Sequence, residues 1–435
     1  MDQPDRSLAI KIIDSLGSSG TPPTRGFHYF TVGLDQQIQT LAGEYLDELI
    51  PPPSNGGTFK LVQGDFGCGK THFLYCLLRE ARRRGYATAL VQLSARECPF
   101  DKASRVYKSI AQRISLPMDA EERDLASGDV TGLPELLRRM ADAVEQQGGG
   151  DGLQTWLQRS LRRVPVEVAP FRVACAGFLD AYRRGDDESE QILEQWLLGE
   201  DVPSGEYRRL GVFAAIDESN ALGMITSMTQ VIRSFEVGEL RVPGVVLAFD
   251  EMDRTLSISP KRSQTLLDNL RRLIDSTVGG GIPGAMMLYA VPPDFMRKTV
   301  ADYPALKQRL HSTVEFGPAN PSAPVIDLEN LGPDLGQLLT EIGLRILMVY
   351  RIARGADLSE TIQKANAESL ARVVAGESAD SGPRRAFVKA WVAILNGQVA
   401  AGERILAADE VSRLASGYLE ESFPDDTAEA TYQDL

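Results

Sequence analysis

Apolar residues at Leu8, Ile12, Ile13 and Leu16 recur at helical spacing until Gly-Ser-Ser-Gly and Pro-Pro end the run, which predicts a short leading helix. From Gly33 a second run, Leu34, Ile38, Leu41, Tyr45 and Leu49, keeps the same period as far as the prolines at 51 to 53. "TFKLV" then reads as a short β-rich strand entering a glycine-rich loop, "GDFGCGKT", followed by an amphipathic helix closed at Gly85. "TALVQLS" is a second buried strand. From about Ala95 to Arg241 the period is helical throughout, in "KASRVYKSIAQRI", "LPELLRRMADAVEQQ", "LQTWLQRSLRR", "FRVACAGFLDAYRRG" and "SEQILEQWLL". "PGVVLAFDEMD" returns to a continuous apolar strand with two carboxylates at its end, and "GAMMLYAVPPDF" and "STVEFG" predict two further strands. Beyond about Pro321 the pattern is helical again, and the last stretch, "EESFPDDTAEATYQDL", is acidic and expected to fray.

This pattern predicts an α/β fold with a central parallel sheet, a large helical insertion and a C-terminal helical region. With 435 residues and 43% apolar content, the chain has room for a nucleotide-binding core and appendages. Lys and Arg number 46 against 60 Asp and Glu, a net charge of −14, so a DNA contact requires a local basic patch. Cys68, Cys76, Cys98 and Cys175 lack metal-ligand spacing and read as reduced thiols, and the scattered His28, His72 and His311 do not suggest a zinc site. No apolar run approaches 18 residues and the N-terminus lacks a signal pattern, so the expectation is a soluble, cytoplasmic protein without membrane partners.

The loop fits the phosphate-binding pattern G-x-x-x-x-G-K-[ST] in its required context of strand, loop and helix. Its candidate nucleotide-binding residues are Gly64, Asp65, Phe66, Gly67, Cys68, Gly69, Lys70, Thr71 and His72. The glycines let backbone N–H groups close around phosphate oxygens, Lys70 reaches the β and γ phosphates, and Thr71 ligates Mg²⁺. The cofactors implied are ATP and Mg²⁺. At the end of "VVLAFDE", Asp250 is placed to hold Mg²⁺ through water and Glu251 to orient and deprotonate the attacking water. Asp253 and Arg254 read as surface or supporting residues.

Arg309 ends a predicted helix just before a predicted strand, where it could reach a neighbouring subunit's γ-phosphate. Arg384 and Arg385 fall in the first turn of a helix, where the dipole disfavours cations unless an anion such as a nucleotide phosphate is near. The basic groups at Arg82 to Arg84, Arg162-Arg163, Arg208-Arg209 and Arg271-Arg272 read mostly as solvated helix faces. Lys261 and Arg262 are the better candidates for DNA.

Together the glycine loop, "FDE", the later strand, the pre-strand arginine and the "RR" helix resemble the AAA+ ATPases, especially their initiator-like, Orc/Cdc6-related branch. "AIKIIDSLGSSGTPPTRGFHYFTVGLDQQIQTL", "FKLVQGDFGCGKTHFLY", "VQLSARECPFDKASRVYKSIAQRI" and "IDESNALGMITSMTQVIRSFEVGELRVPGVVLAFDE" look more closely like the BREX-type ATP-binding proteins of bacterial phage-defence operons. The resemblance implies an AAA+ P-loop NTPase in which residues 1–30 are a helix and linker. Residues 31–94 and 242–320 form the α/β core, 95–241 the helical insertion, 321–400 the helical lid, and 401–435 a helix and acidic tail. It also implies that Val32 and Gly33, with Leu34, pack on adenine, that Arg309 is an arginine finger, and that Arg384 or Arg385 is the lid arginine. One departure is that Tyr289, Ala290 and Val291 stand where a polar sensor residue is expected, which implies slow turnover.

The expected function is an ATPase that oligomerises as a ring or filament and powers a defence complex on DNA, with a helicase or methyltransferase among its partners. Two alternatives are a replication-initiator or helicase-loader switch and a non-hydrolysing ATP-binding scaffold. Only about 35 residues follow the predicted lid helices, too few for an appended winged-helix domain, and the intact Asp250-Glu251 pair argues against the scaffold.

Overall fold

A computed structural model describes residues 3–94, 96–148, 152–237, 240–251, 260–330, 334–377 and 382–420. In chain order the first elements are α1 (Arg6–Ser18), α2 (Asp35–Leu41), β1 (Thr58–Gln63), α3 (Lys70–Arg83) and β2 (Ala87–Gln92). Then come α4 (Ala103–Arg113), α5 (Leu133–Gly148), α6 (Gly152–Arg159), α7 (Ala169–Arg184), α8 (Asp187–Leu197), α9 (Ser204–Arg209) and α10 (Ala221–Arg233). A small antiparallel hairpin, β3 (Glu236–Val237) and β4 (Leu240–Arg241), leads to β5 (Val245–Asp250), α11 (Pro260–Val278), β6 (Ala285–Val291), α12 (Pro304–Leu310) and β7 (Val325–Asp327). The chain continues through α13 (Leu335–Arg354), α14 (Glu360–Glu377), α15 (Pro383–Ala401) and α16 (Ala408–Glu420). The acidic tail beyond Glu420, and Asp253 and Arg254, lie outside the described residues. The chain divides into two compact units, one containing residues 1–36, 64–73 and 327–435, the other residues 37–63 and 74–326.

The larger unit is built on a five-stranded sheet in the order β2-β5-β6-β1-β7, with β2/β5, β5/β6 and β6/β1 parallel. β5 and β6 are buried along their whole length, which is why both read as unbroken apolar runs. Phe249, Tyr289 and Leu61 lie side by side across three strands, so Gln63 and Asp250 end their strands on the same edge of the sheet. The helices between β2 and β5 share the sheet's core: Phe100, Tyr107, Phe171, Phe178 and Trp196 are continuous with Phe59, Leu247 and Met287. The predicted insertion is therefore packed onto the sheet, and not hung beside it.

Two expectations are corrected here. "STVEFG" is not a strand: Val314 is exposed, and the Asn320 side chain donates to the Val314 carbonyl at 2.8 Å and to the Ser312 hydroxyl at 3.2 Å, folding the segment into a turn. The last strand is instead the short β7, entered by a bond from the Leu61 N–H to the Pro324 carbonyl at 2.8 Å. Arg82 is not on a solvated face: it is fully buried, donating to the Glu122 carbonyl at 3.0 Å and to the hydroxyls of Thr88 and Ser115 at 3.2 and 2.8 Å. A buried guanidinium needs such acceptors to offset its desolvation.

In the smaller unit α1 packs against α13 and α15, and α14 against α13, α15 and α16. The buried face of α1 is Ala9, Ile12, Ile13 and Leu16, close to the predicted stripe. Trp391 of α15 is fully buried and its indole N–H donates to the Gly343 carbonyl at 2.8 Å, fixing α15 on α13.

Lys60, in the middle of β1, is 1% exposed. Its ammonium donates to the carbonyls of Pro321 and Ala323 at 2.7 and 2.8 Å and sits 4.7 Å from the centre of the Tyr45 ring and 5.4 Å from that of Phe316. Burial pushes this amine down to about 7. Above that pH the folded chain has released a proton that the unfolded chain still holds, so Lys60 makes stability rise with pH until the unfolded amine also titrates. The expected outcome is that Lys60→Met flattens the rise in urea-unfolding stability between pH 7 and 9.5, by up to about 1.4 kcal/mol per pH unit. Parallel profiles for the two proteins would show that the buried amine stays charged.

Candidate nucleotide-binding site

β1 delivers the chain into the loop Gly64–Gly69, and α3 begins at Lys70 with a bond from the Phe73 N–H to the Gly69 carbonyl at 2.9 Å. Gly67 and Gly69 take φ values of 74° and 101°, a region open to glycine and costly for other residues. The loop closes on its own lysine: Lys70 Nζ donates to the carbonyls of Gly64 and Asp65 at 2.8 and 2.9 Å. At the other side of the loop the Asp65 N–H donates to Glu329 Oε1 at 3.1 Å. The buried Cys68 thiol is pushed up to about 11 by burial, which outweighs the opposing charges of Lys70 and Arg384.

The N-terminus of α15 meets this loop within the same unit. A Cβ at Gly67 would lie 2.7 Å from the Gly382 Cα, and one at Gly69 would lie 3.3 Å from Arg384 Nη1. Arg384 is steadied by a bond from Nη2 to the Leu328 carbonyl at 3.2 Å. Arg385 instead places its guanidinium 4.9 Å from the centre of the Phe66 ring. The two neighbouring arginines thus do different things, one beside the loop's last glycine and one stacked on its aromatic residue.

Segment 27–33 also belongs to this unit. Gly33 lies under Leu338 of α13, and Thr31, one residue before Val32, brings its hydroxyl 2.8 Å from His72 Nε2. The predicted residues Val32, Gly33, Gly64 to His72, Arg384 and Arg385 are thus gathered in one compact unit.

In the larger unit, Asp250 is buried at the end of β5, and its Oδ1 accepts the Glu251 N–H at 2.9 Å. Glu251 has φ of 62°, a left-handed conformation that a non-glycine residue adopts only under local constraint. Tyr75, on α3, has its hydroxyl pushed up to about 12, first by burial and then by the charges of Asp250 and Glu251. Tyr289, at the position expected to be polar, is fully buried, stacked on Phe249 at 4.3 Å, and its hydroxyl has no hydrogen-bond partner among the described residues.

Arg309 is bound to Asp275 through two nitrogens, Nη2 at 2.9 Å from Oδ2, and its Nη1 donates to the Ala305 carbonyl at 2.7 Å. Arg262 makes a two-bond pair with the buried Asp101 at 2.9 and 3.0 Å, while Lys261 beside it is exposed. The sequence reading missed Glu329, Thr31 and Tyr75. Tyr75 is detectable, since it lies on the amphipathic helix that Lys70 opens; Glu329 follows β7, a strand of three residues too short to show in the pattern.

Residues 5–405 match the family of the BREX system ATP-binding protein BrxC/D. No curated protein matches the chain. Among the described residues, no helix is long and apolar enough to cross a membrane.

The strained backbone at Glu251 carries a prediction. Glu251→Gly removes a left-handed penalty of roughly 1 kcal/mol, partly offset by the added flexibility of the unfolded chain. Its expected effect is an unchanged or higher melting temperature, read by thermal unfolding. A clear fall in melting temperature would mean that Glu251 is held there by contacts worth more than the strain.

Proposed function

Because the chain belongs to the BREX system ATP-binding protein BrxC/D family, we propose that it is an AAA+ ATPase that hydrolyses Mg-ATP and drives or switches a phage-defence complex acting on DNA. The observation that carries this reading is the glycine loop closed on Lys70, with Arg384 beside its last glycine. Two cations beside a glycine-rich turn at the start of a helix suit the charge of a bound phosphate, which supports the reading.

The donor set suits the cofactor: a threonine hydroxyl and carboxylate oxygens are hard ligands of the kind Mg²⁺ takes. Bound Mg²⁺ would neutralise phosphate charge. Thr71 and Asp250 are the residues that would hold it, Asp250 through water, while Lys70 would exchange the loop carbonyls for the β and γ phosphates and Arg384 would stabilise charge spreading on the γ-phosphate. Glu251 orients and deprotonates the attacking water. Val32 and Gly33 pack on the base. Arg309 acts on a neighbouring subunit's nucleotide after exchanging Asp275 for phosphate, which makes assembly and turnover interdependent. Turnover is slow without partners, because Tyr289 is committed to the core and Ala290 and Val291 are apolar. The Arg262–Asp101 pair leaves Lys261 as the freer of the two cations proposed for DNA.

Purified protein with Mg-ATP is expected to release phosphate, Glu251→Gln to lose about 10²-fold or more while still binding ATP, and Lys70→Ala to lose binding. No phosphate release above the Glu251→Gln background, with or without DNA, would leave the scaffold reading in place. Mass photometry with ATP is expected to show an assembly whose turnover, and not its nucleotide affinity, falls in Arg309→Ala. A monomer at every concentration would remove the role of Arg309 between subunits.

A further inference from the structure

His72 follows Thr71 on the first turn of α3, so its side chain leaves the helix roughly 100° away from that of Thr71. While Thr71 is proposed to serve the metal, the imidazole enters segment 27–31. The Phe27 ring meets it nearly perpendicular at 87° and 5.9 Å, and the Phe30 ring lies at 5.4 Å. Both phenylalanines are buried. The polar end of the ring meets the Thr31 hydroxyl at 2.8 Å.

That hydroxyl also lies 3.1 Å from the Phe27 carbonyl, to which it donates. A hydroxyl has one proton, so Thr31 Oγ1 accepts from His72, which fixes the proton on Nε2. A phenylalanine would fill this aromatic slot without the cost of burying a polar ring, so the slot's shape alone does not account for a histidine. The imidazole adds one directed bond between the phosphate-loop helix and the residues just before Val32.

We propose that His72 is a positioning residue: through Thr31 it fixes the 27–33 segment to the phosphate-loop helix, and so sets how tightly the base of the nucleotide is held. This inference rests on the proposed function, in which Val32 and Gly33 pack on the base. His72 need not touch the nucleotide. The bond joins the phosphate-binding and base-binding parts of the site, so breaking it penalises a ligand that uses both.

The test compares Mg-ATP with tripolyphosphate, which has the phosphates and no base, by calorimetric titration. His72→Phe keeps the ring packing and removes the bond, Thr31→Val removes it from the other side, and Thr31→Ser restores the hydroxyl. The expected result is about tenfold weaker ATP binding in His72→Phe and in Thr31→Val, the value of roughly one hydrogen bond. The double variant should be no weaker than either single one, Thr31→Ser near wild type, and tripolyphosphate binding unchanged in all. Equal loss for both ligands would overturn the proposal by placing the effect on the phosphate loop. Unchanged ATP affinity in Thr31→Val, a nearly isosteric change, would overturn it directly. Wild-type protein that binds neither ligand would overturn the nucleotide reading of the site and this inference with it.

Discussion

Gly67 and Gly382 approach so closely that neither position has room for a side chain. Much of the smaller unit depends on that contact. It brings the first turn of α15 against the loop, and only then can Arg384 pass beside Gly69 while Arg385 lies on Phe66. Trp391, two turns further along, anchors the same helix on α13, which in turn packs on α1. A displacement of the loop is therefore resisted by a stack of helices and not by one flexible arginine. The position of α15 is in this way tied mechanically to the backbone that is proposed to enclose phosphate.

A second theme is how the chain buries basic groups. Lys60 and Arg82 are both buried in the larger unit, and among the described residues both bond to backbone carbonyls and hydroxyls and to no carboxylate, with Arg82 Nη2 left without a partner there. Such acceptors orient a cation without adding a second buried ion that must itself be compensated. Each also clips a connecting segment to the sheet: Lys60 holds the approach to β7, and Arg82 holds the segment around Glu122.

The glycine loop, the strands on either side of it, and "VVLAFDE" were legible in the sequence because each signal is local and strong. Fully buried strands read as apolar runs, and the loop's chemistry lies within a few residues. Helix existence was legible for the same reason, as at α1 and α13. What failed was short or non-local. β7 has three residues, too few for alternation to show, while "STVEFG" has the composition of a strand but is bent by the side chain of Asn320, just beyond its end. The burial of Arg82 depends on Ser115 and Glu122, more than thirty residues away. Likewise the partners Asp275 for Arg309 and Asp101 for Arg262 cannot be read from the neighbourhood of either arginine.

Cys68 sits between the two turn glycines of the loop, a position that invites comparison with a redox sensor. Its environment works against that role. Sulfur attacks oxidants and electrophiles as the thiolate, and a buried thiol held near 11 supplies almost none at neutral pH. The cations that flank it, Lys70 and Arg384, would favour the thiolate, but burial outweighs them. The loop's own packing thereby keeps this thiol in its protonated, weakly nucleophilic form.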